Sequence, residues 1–255
     1  MGSADEIIAA CLDDLDRAIA TLDLEGYSLA ALMLDTGLTS SGVVDFPGNY
    51  LAEAIRRTRD AGGLFIADEV QVGFGRTGSH FWRFDRYGVT PDIVTMGKPM
   101  GNGMPLSAVV TTAAIDDAFR KENYLFSSTG GNPVSCAAGL AVLDVLERDD
   151  LQANAARVGA YIRRGLEALQ EHHEIIGDVR GRGLLLAIEL VQDRKTRAPA
   201  RKLVRSIVND MARNGVLVGP EGTLGTVIKL RPPMVFNEAH ADILLDALSG
   251  ALDRL

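Results

Sequence analysis

Lys98 is the residue whose setting most suggests chemistry. It falls in PDIVTMGKPMGNGMP, residues 91–105, between an apolar strand-like run and a loop with glycines at 97, 101 and 103. A surface lysine needs no such setting; a lysine that must reach a buried cofactor does. Neutral lysine is a nucleophile and a proton carrier, and a desolvated setting lowers its pKa towards neutrality. Three acids stand at comparable places. Asp68 and Glu69 end LFIADE (64–69), and Asp35 ends SLAALMLD (28–35). Ligands gather at the carboxyl ends of strands in parallel α/β sheets. Asp68 alone also reads as a helix cap or half of a structural ion pair. An apolar strand ending in Asp-Glu would suit Mg²⁺ beside a nucleotide. That use requires a GxxxxGK[ST] loop, and here Lys98 is followed by Pro99 while position 92 is Asp.

The elements that must hold these residues are legible from periodicity. Ser3 and Glu6 have capping-box spacing, and Ile7, Ile8, Cys11, Leu12, Leu15, Ile19 and Leu22 recur at helical intervals behind them. YLAEAIRRTRDAGG (50–63) reads as an amphipathic helix stopped by glycines. The runs 28–35, 64–69, 92–96 and 106–112 read as buried strands, and their alternation with helices points to a mostly parallel α/β sheet. From Pro133 one helical pattern runs to His173, with a break expected at ERDD. Beyond it, GLLLAIEL and TVIKLRPP read as strands around a helix near 200–215, and a capped helix follows Asn237. The expected organisation is a larger α/β part, residues 1–148, and a smaller α+β unit, residues 149–255.

IADEVQVGFGRTG (66–78) and VTMGKPMGNG (94–103) together resemble the class III aminotransferases of the pyridoxal-phosphate fold-type-I superfamily. The likeness continues, in the same order, through FSSTGGNPVSCAAGLAVLDV (126–145), GDVRGRGLLLAIEL (177–190) and IKLRPPMVF (228–236). It is closest to the branch of alanine–glyoxylate aminotransferase-like proteins and phosphoethanolamine-type phospho-lyases. The resemblance implies pyridoxal 5'-phosphate as cofactor, held by Lys98 as a Schiff base, with Lys98 then moving the substrate proton. Asp68 would face the pyridine nitrogen, Val70 would pack on one ring face, and Gln71 would bind the ring hydroxyl. Strand continuation explains Val70 equally well. Ser128 and Thr129 stand where relatives place a hydroxyl that reaches the cofactor phosphate of the other subunit of a homodimer; a polar loop and N-cap ahead of Pro133 is the plainer reading. Arg231 matches an arginine that grips a substrate carboxylate, a task suited to its planar fork, or it forms a surface ion pair. Asp35 departs from the usual glutamate.

The reaction so implied moves an amino group between an amine or amino acid and an oxo acid. Elimination of phosphate from a phosphorylated amine uses the same residues and remains open. Class III enzymes are longer, and this chain resembles only their carboxyl-terminal portion. The large-domain sheet is therefore expected to be incomplete, with an unpaired edge. An inactive fragment that requires an amino-terminal segment is a third reading.

Composition narrows the partners. The chain has 255 residues and a formal net charge of −8, which opposes a nucleic-acid or anionic-membrane surface. No apolar run has the length of a membrane span. Two cysteines and four histidines without ligand spacing indicate no structural metal. The acidic opening MGSADEIIAA lacks a basic leader region, so no secretory signal is expected, and with two cysteines in no CxxC pair the composition reads as that of a reduced, cytoplasmic protein.

Overall fold

The computed structural model describes residues 3–255; Met1 and Gly2 of the acidic opening lie outside the described residues. The chain divides into two compact units. The first comprises residues up to Thr36, Asp45–Gly73 and Trp82–Asp144; the second comprises Gly37–Val44, Phe74–Phe81 and Val145–Leu255.

The first unit opens with α1 (Ala4–Leu24), where the expected capping box forms: Glu6 N–H donates to Ser3 Oγ, and Ser3 N–H donates to Glu6 Oε2. Strand β1 (Ala31–Asp35) leads to α2 (Tyr50–Asp60), which buries Leu51, Ala54, Ile55 and Thr58. This i, i+3, i+4, i+7 stripe lets α2 pack on β1 and on β2 (Leu64–Asp68). Then follow β3 (Ile93–Met96), β4 (Ala108–Thr111) and α3 (Ala113–Glu122). Sheet order is β1-β2-β3-β4, with β1, β2 and β3 parallel and β4 antiparallel to β3. The sheet is thus mixed but mostly parallel, as expected. Among the described residues β1 and β4 are its outer strands, and Met33, Val109 and Val110 on them are exposed.

Helix α4 (Pro133–Arg148) begins with proline at its first position, where no backbone donor is lost. A Cβ at its Gly139 would lie 2.5 Å from the Leu106 side chain, so glycine is what admits the helix to the loop before β4. The break expected at ERDD is real: Asp150 adopts φ 44°, and α5 (Leu151–His172) starts anew.

The second unit holds an antiparallel sheet of order β5-β6-β8-β7, from β5 (Ile176–Arg182), β6 (Leu185–Leu190), β7 (Gly219–Glu221) and β8 (Val227–Leu230). Helices α5, α6 (Arg201–Arg213) and α7 (Glu238–Asp253) cover it over one core that includes Ile162, Leu166, Ile188, Ile207, Ile228 and Leu248. Asn237 caps α7, accepting the His240 N–H at 3.0 Å. Segment 74–81 is fastened to this unit at the β5–β6 turn, where Leu184 N–H donates to Arg76 O at 3.0 Å.

Candidate active site

Strands β2 and β3 bring their carboxyl ends together. Asp68 pairs with Thr95 across β3 and with Asp35 across β1, so these three side chains share one face of the sheet. Asp68 Oδ1 accepts the Val70 N–H at 2.9 Å, closing the turn that leaves β2. The plain capping reading of Asp68 therefore holds for one oxygen. Among the described residues neither oxygen accepts a further hydrogen bond, so the other stays available. Val70 and Gln71 are half-buried in the turn that follows.

Strand β3 ends at buried Met96, buried Gly97 follows, and Lys98 opens a 3₁₀ turn, Lys98–Gly101, in which Met100 N–H donates to Gly97 O at 2.8 Å. A Cβ at Gly97 would meet Val70 Cγ1 at 3.9 Å and Ser107 Cβ at 3.7 Å, which sets the residue before Lys98 beside Val70. These are ordinary contacts, so space alone does not demand glycine there. Gly103 differs, because its φ of 107° lies where side chains are strained. Lys98 is exposed and makes no hydrogen bond or ion pair among the described residues. The desolvated setting foreseen for it is thus not supplied by residues 3–255: the wall beside it is one short turn, and no apolar element covers the amine.

Glu69 is the buried acid of the site. Its carboxylate accepts from Thr36 Oγ1 at 2.7 Å, Arg83 N–H at 2.8 Å and Phe84 N–H at 3.0 Å. Burial raises its pKa above the ordinary value, the three hydrogen bonds oppose the shift, and Asp35 adds a smaller upward push. Glu69 therefore ties the end of β1 and the 83–84 backbone to the end of β2, holding the Asp68 turn in place.

Ser128 and Thr129 lie on the exposed segment between α3 and α4. Asn132 Oδ1 accepts the Ser135 N–H at 2.9 Å and caps α4, and its amide donates to Thr129 O at 3.1 Å. The loop-and-cap reading holds, and both residues are exposed. The structure brings Asp68, Val70 and Lys98 to adjacent strand ends. Ser128 and Thr129 are exposed on the segment between α3 and α4. Arg231 is exposed in the second unit, just after β8.

Two residues carry signals that the sequence reading passed over. Thr95 Oγ1, on the strand beside Asp68, is buried without a hydrogen-bond partner. A lone hydroxyl in the apolar run DIVTM was the available clue. Arg76 donates from Nη1 to Leu184 O at 3.1 Å and Pro232 O at 2.9 Å. Nothing in GFGRTG alone distinguishes it from an exposed arginine.

The donor set suits pyridoxal phosphate. A carboxylate with an uncommitted oxygen can hold a protonated ring nitrogen, an amine without partners can meet the aldehyde, and an orphaned buried hydroxyl, that of Thr95, stands on β3 opposite Asp68. The sequence matches the class-III aminotransferase family over residues 2–252. The chain belongs to that family. It is 46% identical over 254 residues to the mitochondrial alanine–glyoxylate aminotransferase 2 homolog 2 of Arabidopsis thaliana, covering 100% of this chain and 52% of that protein. An Arthrobacter phospholyase solved in complex with phosphoethanolamine superposes with a TM-score of 0.96 at 44% identity, covering 99% of this chain and 60% of that one. A PLP-bound amine transaminase from an uncultivated Pseudomonas species gives a TM-score of 0.86 at 34% identity, covering 99% of this chain and 58% of that one. The chain spans about half the length of the curated relatives it matches.

The expected cytoplasmic location is overturned by the mitochondrial Arabidopsis relative. Sparse cysteines report a reduced setting, and that does not distinguish one reducing compartment from another.

Proposed function

We propose that this chain carries the catalytic lysine and the ring-binding acid of a pyridoxal-phosphate-dependent aminotransferase, acting on an amine or amino acid and an oxo acid. The observation that carries the reading is the pairing of strand ends: a partnerless Lys98 after β3, and an Asp68 with one uncommitted oxygen after β2. Residues 1–148 would be the carboxyl-terminal part of the cofactor-binding domain and 149–255 the small domain.

When bound, the cofactor supplies an electron sink that stabilises negative charge on the substrate carbon. Lys98 would hold the cofactor through its aldehyde, and Lys98 Nζ, when neutral and free of it, would take the proton from the amine-bearing carbon of the substrate. The Asp68 carboxylate would face the ring nitrogen, where a neighbouring anion favours the protonated ring. The Val70 methyls would pack on one face of the ring, and the Gln71 amide would donate to the ring hydroxyl. Ser128 or Thr129 would donate to the phosphate held by a second copy of the chain, and the active form would then be a homodimer. Arg231 receives the substrate carboxylate through two parallel N–H groups.

A second reading is favoured by one observation, the 0.96 TM-score to a phospholyase: the same residues would then serve elimination of phosphate from a phosphorylated amine. Incubation with an amine donor and an oxo acid, or with a phosphorylated amine, separates the two. New amino acid without inorganic phosphate supports the first, and phosphate release supports the second. Lys98→Ala abolishes either. If the chain and its Lys98→Ala variant are equally silent in both assays, the activity resides in a longer assembly or is absent.

A further inference from the structure

Strand β3 carries a buried hydroxyl without a partner. Thr95 Oγ1 is shielded from solvent and makes no hydrogen bond among the described residues. Two threonines at other strand ends of the same sheet are satisfied: Thr36 Oγ1 donates to Glu69 Oε1 at 2.7 Å, and Thr111 Oγ1 donates to Asp92 O at 2.9 Å. Branching at Cβ explains a threonine in a strand, but valine has the same branching and strands no hydroxyl. A buried polar group without a partner is costly, and native chains keep few of them. The cost is accounted for if the hydroxyl gains a partner when the site is filled.

Its neighbour in register is Asp68. The two residues pair across parallel strands β2 and β3, and Glu69 N–H donates to Thr95 O at 3.0 Å, which fixes the register at this point. Side chains at paired positions share one face of the sheet, on strands about 4.8 Å apart. Rotation about their own side-chain bonds then brings a hydroxyl and a carboxylate together. Asp68 has an oxygen to offer, since Oδ1 accepts the Val70 N–H and Oδ2 accepts nothing among the described residues. A carboxylate has about four lone-pair sites, so Oδ2 can take a hydroxyl and still face a ring nitrogen. Tethered through one oxygen only, the Asp68 carboxylate can swing about that bond; a second donor fixes its plane.

We infer that Thr95 is a positioning residue for Asp68: its hydroxyl donates to Asp68 Oδ2 when pyridoxal phosphate is bound, and so holds the carboxylate in the plane that meets the ring nitrogen. The inference deepens the proposed function and rests on it for the role of Asp68. Thr95 does not touch the reacting atoms; it acts through the acid. A hydroxyl-to-carboxylate bond is charge-assisted and stronger than a neutral one, so its loss is readable in cofactor affinity. In the chain without cofactor the same hydroxyl contributes nothing to stability.

The test compares the 255-residue chain with Thr95→Val, Thr95→Ser, Thr111→Val and Lys98→Ala. Pyridoxal phosphate is titrated by absorbance, and the binding that Lys98→Ala removes is taken as that of the site. Thermal unfolding is recorded without cofactor. Thr95→Val should bind the cofactor about tenfold more weakly, the loss of one charge-assisted hydrogen bond, while its unfolding midpoint stays level or rises. Thr95→Ser keeps the hydroxyl and should restore most of the affinity. Thr111→Val, whose hydroxyl is already engaged, should show the reverse: a lower midpoint and unchanged affinity. Binding by Thr95→Val as tight as that of the parent chain overturns the inference, as does failure of Thr95→Ser to restore it. Equal weakening in Thr111→Val also overturns it, because the effect would then belong to the sheet in general. So does a midpoint lowered by about 2 °C or more in Thr95→Val, since the hydroxyl would already have a partner. If the parent chain shows no binding that Lys98→Ala removes, the proposed function fails and the inference with it. Binding intact in both the parent chain and Thr95→Val sinks the inference alone.

Discussion

Replacing Glu69 should unfasten the candidate site, and the size of the effect follows from its hydrogen bonds. The carboxylate accepts from Thr36 Oγ1, Arg83 N–H and Phe84 N–H, and Glu69, Thr36 and Arg83 are buried. Glu69→Ala strands three donors, each costing about 1–3 kcal/mol when left unmade. Relief of the buried charge and entry of water offset part of this, so the expected net loss is about 2–5 kcal/mol. Glu69→Gln is milder. Its carbonyl can keep the Thr36 and Phe84 bonds, which share Oε1, while its amide opposes the Arg83 N–H; one stranded donor costs about 1–3 kcal/mol. The pH dependence has a definite sign. Burial raises the folded pKa of Glu69 above its ordinary 4.5. The stabilisation linked to its proton is therefore fully present below 4.5 and is lost as pH rises through the folded value. The advantage of the native chain over Glu69→Gln should shrink as pH rises from 4.5 through the raised folded value. Urea unfolding of the three proteins across that range measures it. A loss below about 0.5 kcal/mol for Glu69→Ala, or an advantage over Glu69→Gln that grows with pH, would refute the reasoning.

Other outcomes can be checked alongside. Gly159→Ala places a Cβ where Gly183 O lies 2.2 Å away, backbone that cannot move aside, and should cost at least about 2 kcal/mol in urea unfolding. Ser3→Ala removes the α1 capping box and should cost about 0.5–2 kcal/mol, read as earlier loss of helical circular dichroism on heating. Val109→Lys, at a position 65% exposed on the outer strand β4, should raise the concentration at which light scattering appears while leaving the unfolding midpoint unchanged.

Much of the fold was legible because burial imposes a period. Helix α2 shows its apolar stripe at 51, 54, 55 and 58, β2 reads as the continuous run LFIAD, and Asn237 announces α7. Elements with little burial were not found. Helix α3 buries no residue, β7 has three residues with a proline at its centre, and β5 reads IGDVRGR, where glycine and charge hide Ile176 and Val179. No local pattern reports that segments 37–44 and 74–81 join the second unit, because that depends on contacts such as Leu184 N–H to Arg76 O. Within the candidate site, spacing found the strand-end pair Asp68 and Lys98. It could not find the orphaned Thr95 hydroxyl, the threefold anchoring of Glu69 or the exposure of Lys98, since each depends on neighbours distant in sequence.

The central claim is that Lys98 is the residue that holds the cofactor. Pyridoxal phosphate is added to the 255-residue chain, the mixture is reduced with borohydride, and the labelled peptide is located by mass spectrometry beside a Lys98→Ala control. The account predicts one predominant adduct, at Lys98, that is absent from the variant. Labelling scattered over surface lysines, or equal labelling of chain and variant, would contradict it.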